Sequence, residues 1–125
     1  EKAGVQEAAC LALLILTSAH AETNRIRAAN AGALEAAVAA MCKYTGNRNL
    51  QLAACRALRN MNIGDGKRNV RAGTAGAGEA VVAAMRAHTG AAGVQAAACR
   101  ALINLTSNNA ENRTCAETAG AVEAV

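Results

Sequence analysis

The feature that most restricts this chain is a phrase that recurs. Val5 to Ser18 reads VQEAACLALLILTS, Leu50 to Ile63 reads LQLAACRALRNMNI, and Val94 to Ser107 reads VQAAACRALINLTS. Their cysteines, Cys10, Cys55 and Cys99, stand 45 and 44 residues apart. A second phrase keeps the same beat: Ala31-Gly32-Ala33, Ala75-Gly76-Ala77 and Ala119-Gly120-Ala121 place their glycines 44 apart both times. Repetition at a period in the forties points to an array of helical units, none of which can bury its apolar face without a neighbour. Function then belongs to a repeated surface and not to a single pocket.

On a wheel of 3.6 residues per turn, Val94, Ala98, Ala101, Leu102 and Leu105 form one apolar stripe, predicted to be core. Its equivalents are Leu50, Ala54, Ala57, Leu58 and Met61 in the middle copy and Val5, Ala9, Ala12, Leu13 and Leu16 in the first. On the opposite side Arg100 and Asn104 stand at i and i+4, as do Arg56 and Asn60. The first copy has Leu11 and Ile15 there instead. Stacked helices would turn these pairs into a polar ladder whose first rung is apolar.

The run C-R-A-L-x-N-[LM], at Cys55 to Met61 and Cys99 to Leu105, resembles the third helix of armadillo repeats. That resemblance implies a right-handed α-α superhelix in which the third helices line a groove for an extended peptide. It implies that Asn60 and Asn104 clamp the backbone of that peptide, with Arg56 and Arg100 beside them. The chain departs from importin-like members in having no tryptophan. Arginine without aromatic walls argues for an acidic partner and against capture of lysine side chains.

A chain of 125 residues has room for one domain with a modest core. It holds about three units at this period, close to the minimum for a stable array. Aromatics are one tyrosine, Tyr44, with no phenylalanine or tryptophan, so alanine and leucine must fill the interior. The hydrophobic fraction of 53% is inflated by alanine, and no run of apolar residues is long enough to suggest a membrane span. The opening Glu-Lys does not resemble a secretory signal. A net charge of +4 favours acidic partners without reaching the density of a nucleic-acid tract, and Tyr44 by itself makes no stacking platform. Five cysteines, three of them recurring in apolar helices, read as packed, reduced thiols of a cytoplasmic or nuclear protein. Equivalent cysteines a whole interhelical distance apart cannot share a metal ion, and Cys42 and Cys115 fall outside the recurring set.

In chain order the spacing predicts a third helix by itself over residues 1–19, units over 24–63 and 67–107, and a truncated unit over 110–125, in one domain 1–125. Ala19 to Thr23 is expected as a loop and Asn24 as an N-cap. Gly32 and Gly76 should make the sharp turns between the first two helices of a unit, and Gly64-Asp65-Gly66 a link. Gly78 stands where the other copies have Leu34 and Val122. That missing side chain predicts the softest point of the array, at a cost of about 2 kcal/mol or more. A repeat cut at Val125 leaves an apolar surface uncovered, which suggests a piece of a longer array or a face covered by another chain.

Other signals have plainer readings. The glycines of Gly73 to Gly78 follow no strand, and the central one, Gly76, recurs at every unit boundary, so they read as a turn and not as a phosphate loop. Glu35, Glu79 and Glu123 recur at equal spacing, which suits helix starts and not an active site, where acids must converge. His20 and His88 read as surface residues. The sequons Asn104-Leu-Thr and Asn112-Arg-Thr read as accidental without a secretory signal.

The expectation is therefore an all-α protein of armadillo-like repeats with incomplete terminal units, a binder of protein and not an enzyme, with no cofactor or metal and neither nucleic acid nor membrane as partner. Its groove residues are Asn60, Asn104, Arg56, Arg100, Leu11 and Ile15. The alternative is a scaffold segment that forms homodimers through its open terminal faces.

Overall fold

Three glycines set the layout. Gly32 and Gly76 adopt φ of 87° and Gly120 of 97°, a left-handed conformation that side chains other than glycine rarely tolerate. Each joins a short helix to the helix that follows. The computed structural model describes residues 3–18, 22–62, 66–107 and 109–124. Among them the chain is all-helical and repeat-like. The helices are α1 (Ala3–Leu16), α2 (Glu22–Asn30), α3 (Ala33–Lys43), α4 (Arg48–Met61), α5 (Gly66–Thr74), α6 (Ala77–Ala87), α7 (Ala92–Thr106), α8 (Ala110–Ala119) and α9 (Ala121–Ala124).

The unit is short, middle, long: α2, α3 and α4, then α5, α6 and α7. The long helices stack in order, with α4 lying between α1 and α7, while α3 packs on α4 and α6 packs on α7. Leu34, Val38 and Met41 of α3 are buried, as are Val81, Val82 and Met85 of α6. Glu35 and Glu79 sit in the first turns of their helices, where a carboxylate meets the positive end of the helix dipole. Asn47 caps α4 by accepting from the Leu50 amide at 3.0 Å, and Asn109 caps α8 by accepting from the Asn112 amide at 2.9 Å.

The apolar stripe is core in two copies out of three. Leu50, Ala54, Ala57, Leu58 and Met61 are fully buried, and Val94, Ala98, Ala101, Leu102 and Leu105 nearly so. Each large side chain among them contributes about 1.5–3 kcal/mol through burial. In α1 the expectation fails: Val5 is 56% and Leu16 57% exposed, Ala9 and Ala12 are exposed, and Leu13 is half-buried. The reason is the neighbour. In the later copies the long helix is packed both by the long helix before it and by α3 or α6, whereas among the described residues α1 packs mainly on α4.

Three further expectations need correction or fall outside the described residues. Helix α2 starts at Glu22, so Asn24 lies inside it and is no N-cap; its amide donates to Leu16 O at 2.9 Å. Residues 19–21 of the anticipated loop, His20 among them, lie outside the described residues, as do Gly64 and Asp65 of the link, whose Gly66 begins α5. Gly78 is not a hole. A methyl group placed there would meet Ala116 Cβ at 3.8 Å, and the cavity beside it measures about 10 Å³. Helix α8 has moved into the room that a larger side chain would fill, as the packing of α8 on α6 requires.

Gly73 tells the opposite story, because a methyl group there would overlap Asn112 Oδ1. Gly78→Ala should therefore raise stability by about 0.5 kcal/mol through helix propensity, while Gly73→Ala should lower it by at least about 1 kcal/mol by displacing the Asn112 amide. Thermal denaturation of the two variants checks the sign of each. By the same method Leu105→Ala should cost about 2–5 kcal/mol, and Leu16→Ala, its exposed equivalent, less than about 1 kcal/mol.

Candidate protein-binding face

Long helices stack in a fixed register because their side chains bond to the backbone of the helix before. Asn60 donates through Nδ2 to Leu14 O at 3.4 Å, and Asn104 donates to Arg59 O at 2.9 Å. These are the same bond one period apart. Asn60 is 7% exposed and Asn104 half-buried, so what each can still offer a partner is its Oδ1 acceptor and one remaining Nδ2–H. The two amides anticipated as a clamp are thus first of all spacers between helices.

Arginines behave differently. Arg56 and Arg100 are exposed, and so is Arg59, one turn from Arg56. None of the three forms an ion pair among the described residues. Helices α4 and α7 contain no aspartate or glutamate, and Glu7 of α1 is turned to its own work, accepting from Asn47 Nδ2 at 3.2 Å. Leu11 is 49%, Ile15 65% and Ile103 63% exposed. The structure leaves Arg56, Arg100, Leu11 and Ile15 exposed, and leaves exposed Arg59 and Ile103 too, which had not been singled out. The signal for both was available: Arg59 is i+3 from Arg56, and Ile103 is its equivalent 44 residues on.

The ends of the helices are closed by a second set of amides and guanidinium groups. Asn24 donates to Leu16 O, Arg68 Nε to Met61 O, and Asn112 Nδ2 to Leu105 O, so three positions 44 apart satisfy the last carbonyls of α1, α4 and α7. Arg25 Nε adds Thr17 O at 3.0 Å, and Arg113 Nη1 adds Thr106 O at 3.1 Å. Cationic donors suit a helix C-terminus, where carbonyls are unpaired and the dipole is negative. Gln51 and Gln95 do the same for α3 and α6: each Nε2 donates to two carbonyls, Met41 O and Tyr44 O at 3.0 Å, or Met85 O at 2.8 Å and His88 O at 2.9 Å. The sequence hid the first set because asparagine alternates with arginine there. It displayed the second in the recurring Val-Gln or Leu-Gln pair.

Polar residues elsewhere are tied into the frame. Asn112 also donates to Asn69 O at 2.8 Å, and Asn69 to the backbone Asn104 O at 2.9 Å; with the bond from Asn104 Nδ2 to Arg59 O, the side-chain amides of both sequons are engaged by the fold. Arg68 pairs with Glu22 at 2.8 Å. Arg71 bonds Glu35 at 2.7 Å and holds its carboxyl below the usual range. His88 Nε2 lies 2.8 Å from Thr45 O, and Lys43 Nζ lies 5.5 Å from the Tyr44 ring centre. Among the described residues no three His, Cys, Asp or Glu side chains gather as metal ligands, and no helix is long and apolar enough to cross a membrane.

Cys10 and Cys55 are buried, Cys99 is half-buried, and Cys42 and Cys115 are exposed, all as thiols. Burial pushes the Cys55 thiol up to about 12, helped by the nearby Cys10, and raises Cys10 as well. Against family models, curated proteins and solved structures, the chain finds no significant match.

The thiols give a direct check of the packing. A maleimide at pH 7 should label Cys42 and Cys115 first, Cys99 more slowly, and Cys10 and Cys55 at the rate of unfolding, read by mass spectrometry of the intact chain and its peptides. For Cys55 the folded value exceeds the unfolded one of about 8.5. Its contribution is thus complete below pH 8.5 and falls as pH rises towards 12, because the unfolded chain loses the proton first. Denaturation midpoints should decline across that alkaline interval.

Proposed function

We propose that this chain is a protein-interaction module, a right-handed armadillo-like superhelix whose long helices take an extended, acidic segment of another protein. The observation that carries the reading is the arginine face. Arg56, Arg59 and Arg100 are exposed and unpaired among the described residues, on helices whose lone carboxylate, Glu7, is already bonded to Asn47. Guanidinium forks match carboxylates in a bidentate fashion. Leu11, Ile15 and Ile103, exposed beside them, suit apolar side chains interleaved with the acids.

Support for the superhelix lies in the ordering of short, middle and long helices, the left-handed glycine between the first two, and the stacking of α1, α4 and α7. The asparagines take a smaller part in binding than the resemblance implies, since one N–H of each already holds the stack. A partner's backbone N–H would meet Oδ1 of Asn60 and Asn104. Exposed ion pairs contribute about 0.2–1 kcal/mol each, so three arginines and a few apolar contacts give affinities on the order of micromolar to millimolar. Such binding is sensitive to salt.

Asparagine-to-alanine changes would disturb the stack itself, so charge reversal is the cleaner probe. The double variant Arg56→Glu, Arg100→Glu should keep its thermal midpoint and lose at least about tenfold in affinity for a labelled peptide of alternating glutamate and leucine. It should gain affinity for the lysine-leucine counterpart. Equal binding of both peptides by parent and variant, measured by fluorescence anisotropy, would remove the arginine face as the site.

A further inference from the structure

Half of the Gln51 side-chain amide has no work inside the fold. Both N–H bonds of Nε2 are spent, on Met41 O and Tyr44 O at 3.0 Å each, and because a carbonyl accepts only from an N–H, this fixes which way the amide faces. Its Oε1 accepts from no group among the described residues. Gln51 is 1% exposed, and an acceptor at such depth is costly to leave without a donor. Two other amide oxygens without partners, Asn62 Oδ1 and Asn69 Oδ1, are sealed inside the protein. Gln51 Oε1 is not sealed in that way, because Gln51 lines a cleft.

The cleft lies between α3 and α6 and holds about 340 Å³. Its floor is apolar: Met41 of α3 and Ala80 and Ala84 of α6 are buried there. The space exists because α6 lines it with alanine, Ala83 included, where larger side chains would fill it. Cys42, Thr45 and Glu79 stand exposed at its rim, and no lysine, arginine or histidine lines it. A concave, mostly apolar space of this size with a few placed polar groups is the usual form of a small-molecule site. Taking about 30 Å³ for each non-hydrogen atom, as for a water molecule, it has room for about ten.

We propose that the cleft between α3 and α6 binds a small, mostly apolar molecule whose polar group is a hydroxyl or an amine, and that Gln51 Oε1 accepts its hydrogen. The two bonds from Nε2 hold the amide still, so the acceptor is in place before the ligand arrives. A carboxylic acid does not suit the site, since its ionised form brings no hydrogen to Gln51 and meets Glu79 with no cation in the lining to offset the repulsion. Arg56, Arg59 and Arg100 line no part of the cleft. The site is therefore independent of the arginine face, and either can exist without the other.

The test titrates the isotope-labelled chain, as it stands and at neutral pH, with phenethyl alcohol and phenethylamine. Both should give saturable shifts in α3, in α6 and in the side-chain N–H pair of Gln51, with dissociation constants on the order of millimolar. Phenethyl methyl ether, the same body without a donor, and phenylacetate should each bind at least about fivefold more weakly. Ala83→Leu fills the mouth of the cleft from an exposed position, so it should keep the parent's thermal midpoint and lose at least about tenfold in affinity. Occupancy should also slow maleimide labelling of Cys42 while leaving that of Cys115 unchanged. No saturable shift with either donor overturns the proposal, since the cleft then holds water only. So does equal binding of the ether or of phenylacetate, and so does binding that a folded Ala83→Leu variant leaves intact.

Discussion

Everything in this molecule rests on the side-by-side contact of α1, α4 and α7. That contact is made largely of alanine, cysteine and leucine, and small side chains allow near approach while burying little area each. The hydrophobic term is thereby spread thinly over many residues. Amides and guanidinium groups add direction to it, by bonding carbonyls one period back in the chain. A helix pair held by alanine would slide easily, and Asn60 and Asn104 prevent it.

The repeat made much of this legible. The recurring glycines marked the turns between short and middle helices, and the apolar stripe named the cores of α4 and α7. The stripe failed at α1 for a physical reason: a periodic pattern reports which face a helix can bury, and burial needs a neighbour. Likewise Gly78 looked like a deletion when read along one helix, but α8 closes on it from a different part of the chain. A single row of sequence cannot show that adjustment, because backbones move towards small residues.

The proposed binding face was half visible. Arg56 and Arg100 stood out because they recur, and the fold leaves them exposed. Asn60 and Asn104 recur as well, yet their recurrence serves the stack. Periodicity selects whatever every unit needs, and what every unit needs first is its neighbour. The residues that vary between copies, such as Leu11 against Arg56, or Arg59 against Ile103, are therefore the better guide to what one rung offers that the next does not. Hidden altogether was the set Asn24, Arg68 and Asn112, in which chemically different side chains do one job at one position.

The Asn60 and Asn104 bonds also give the stack a phase. Moving α4 along α1 by one turn, about 5.4 Å, would carry each amide past its carbonyl and leave both groups without partners in a partly dry interface. Arg56 and Arg100 are consequently held at a constant pitch, like teeth on a rack. A polypeptide of the proposed kind laid across them would meet its charges at intervals set by the distance between helices and by nothing in its own conformation.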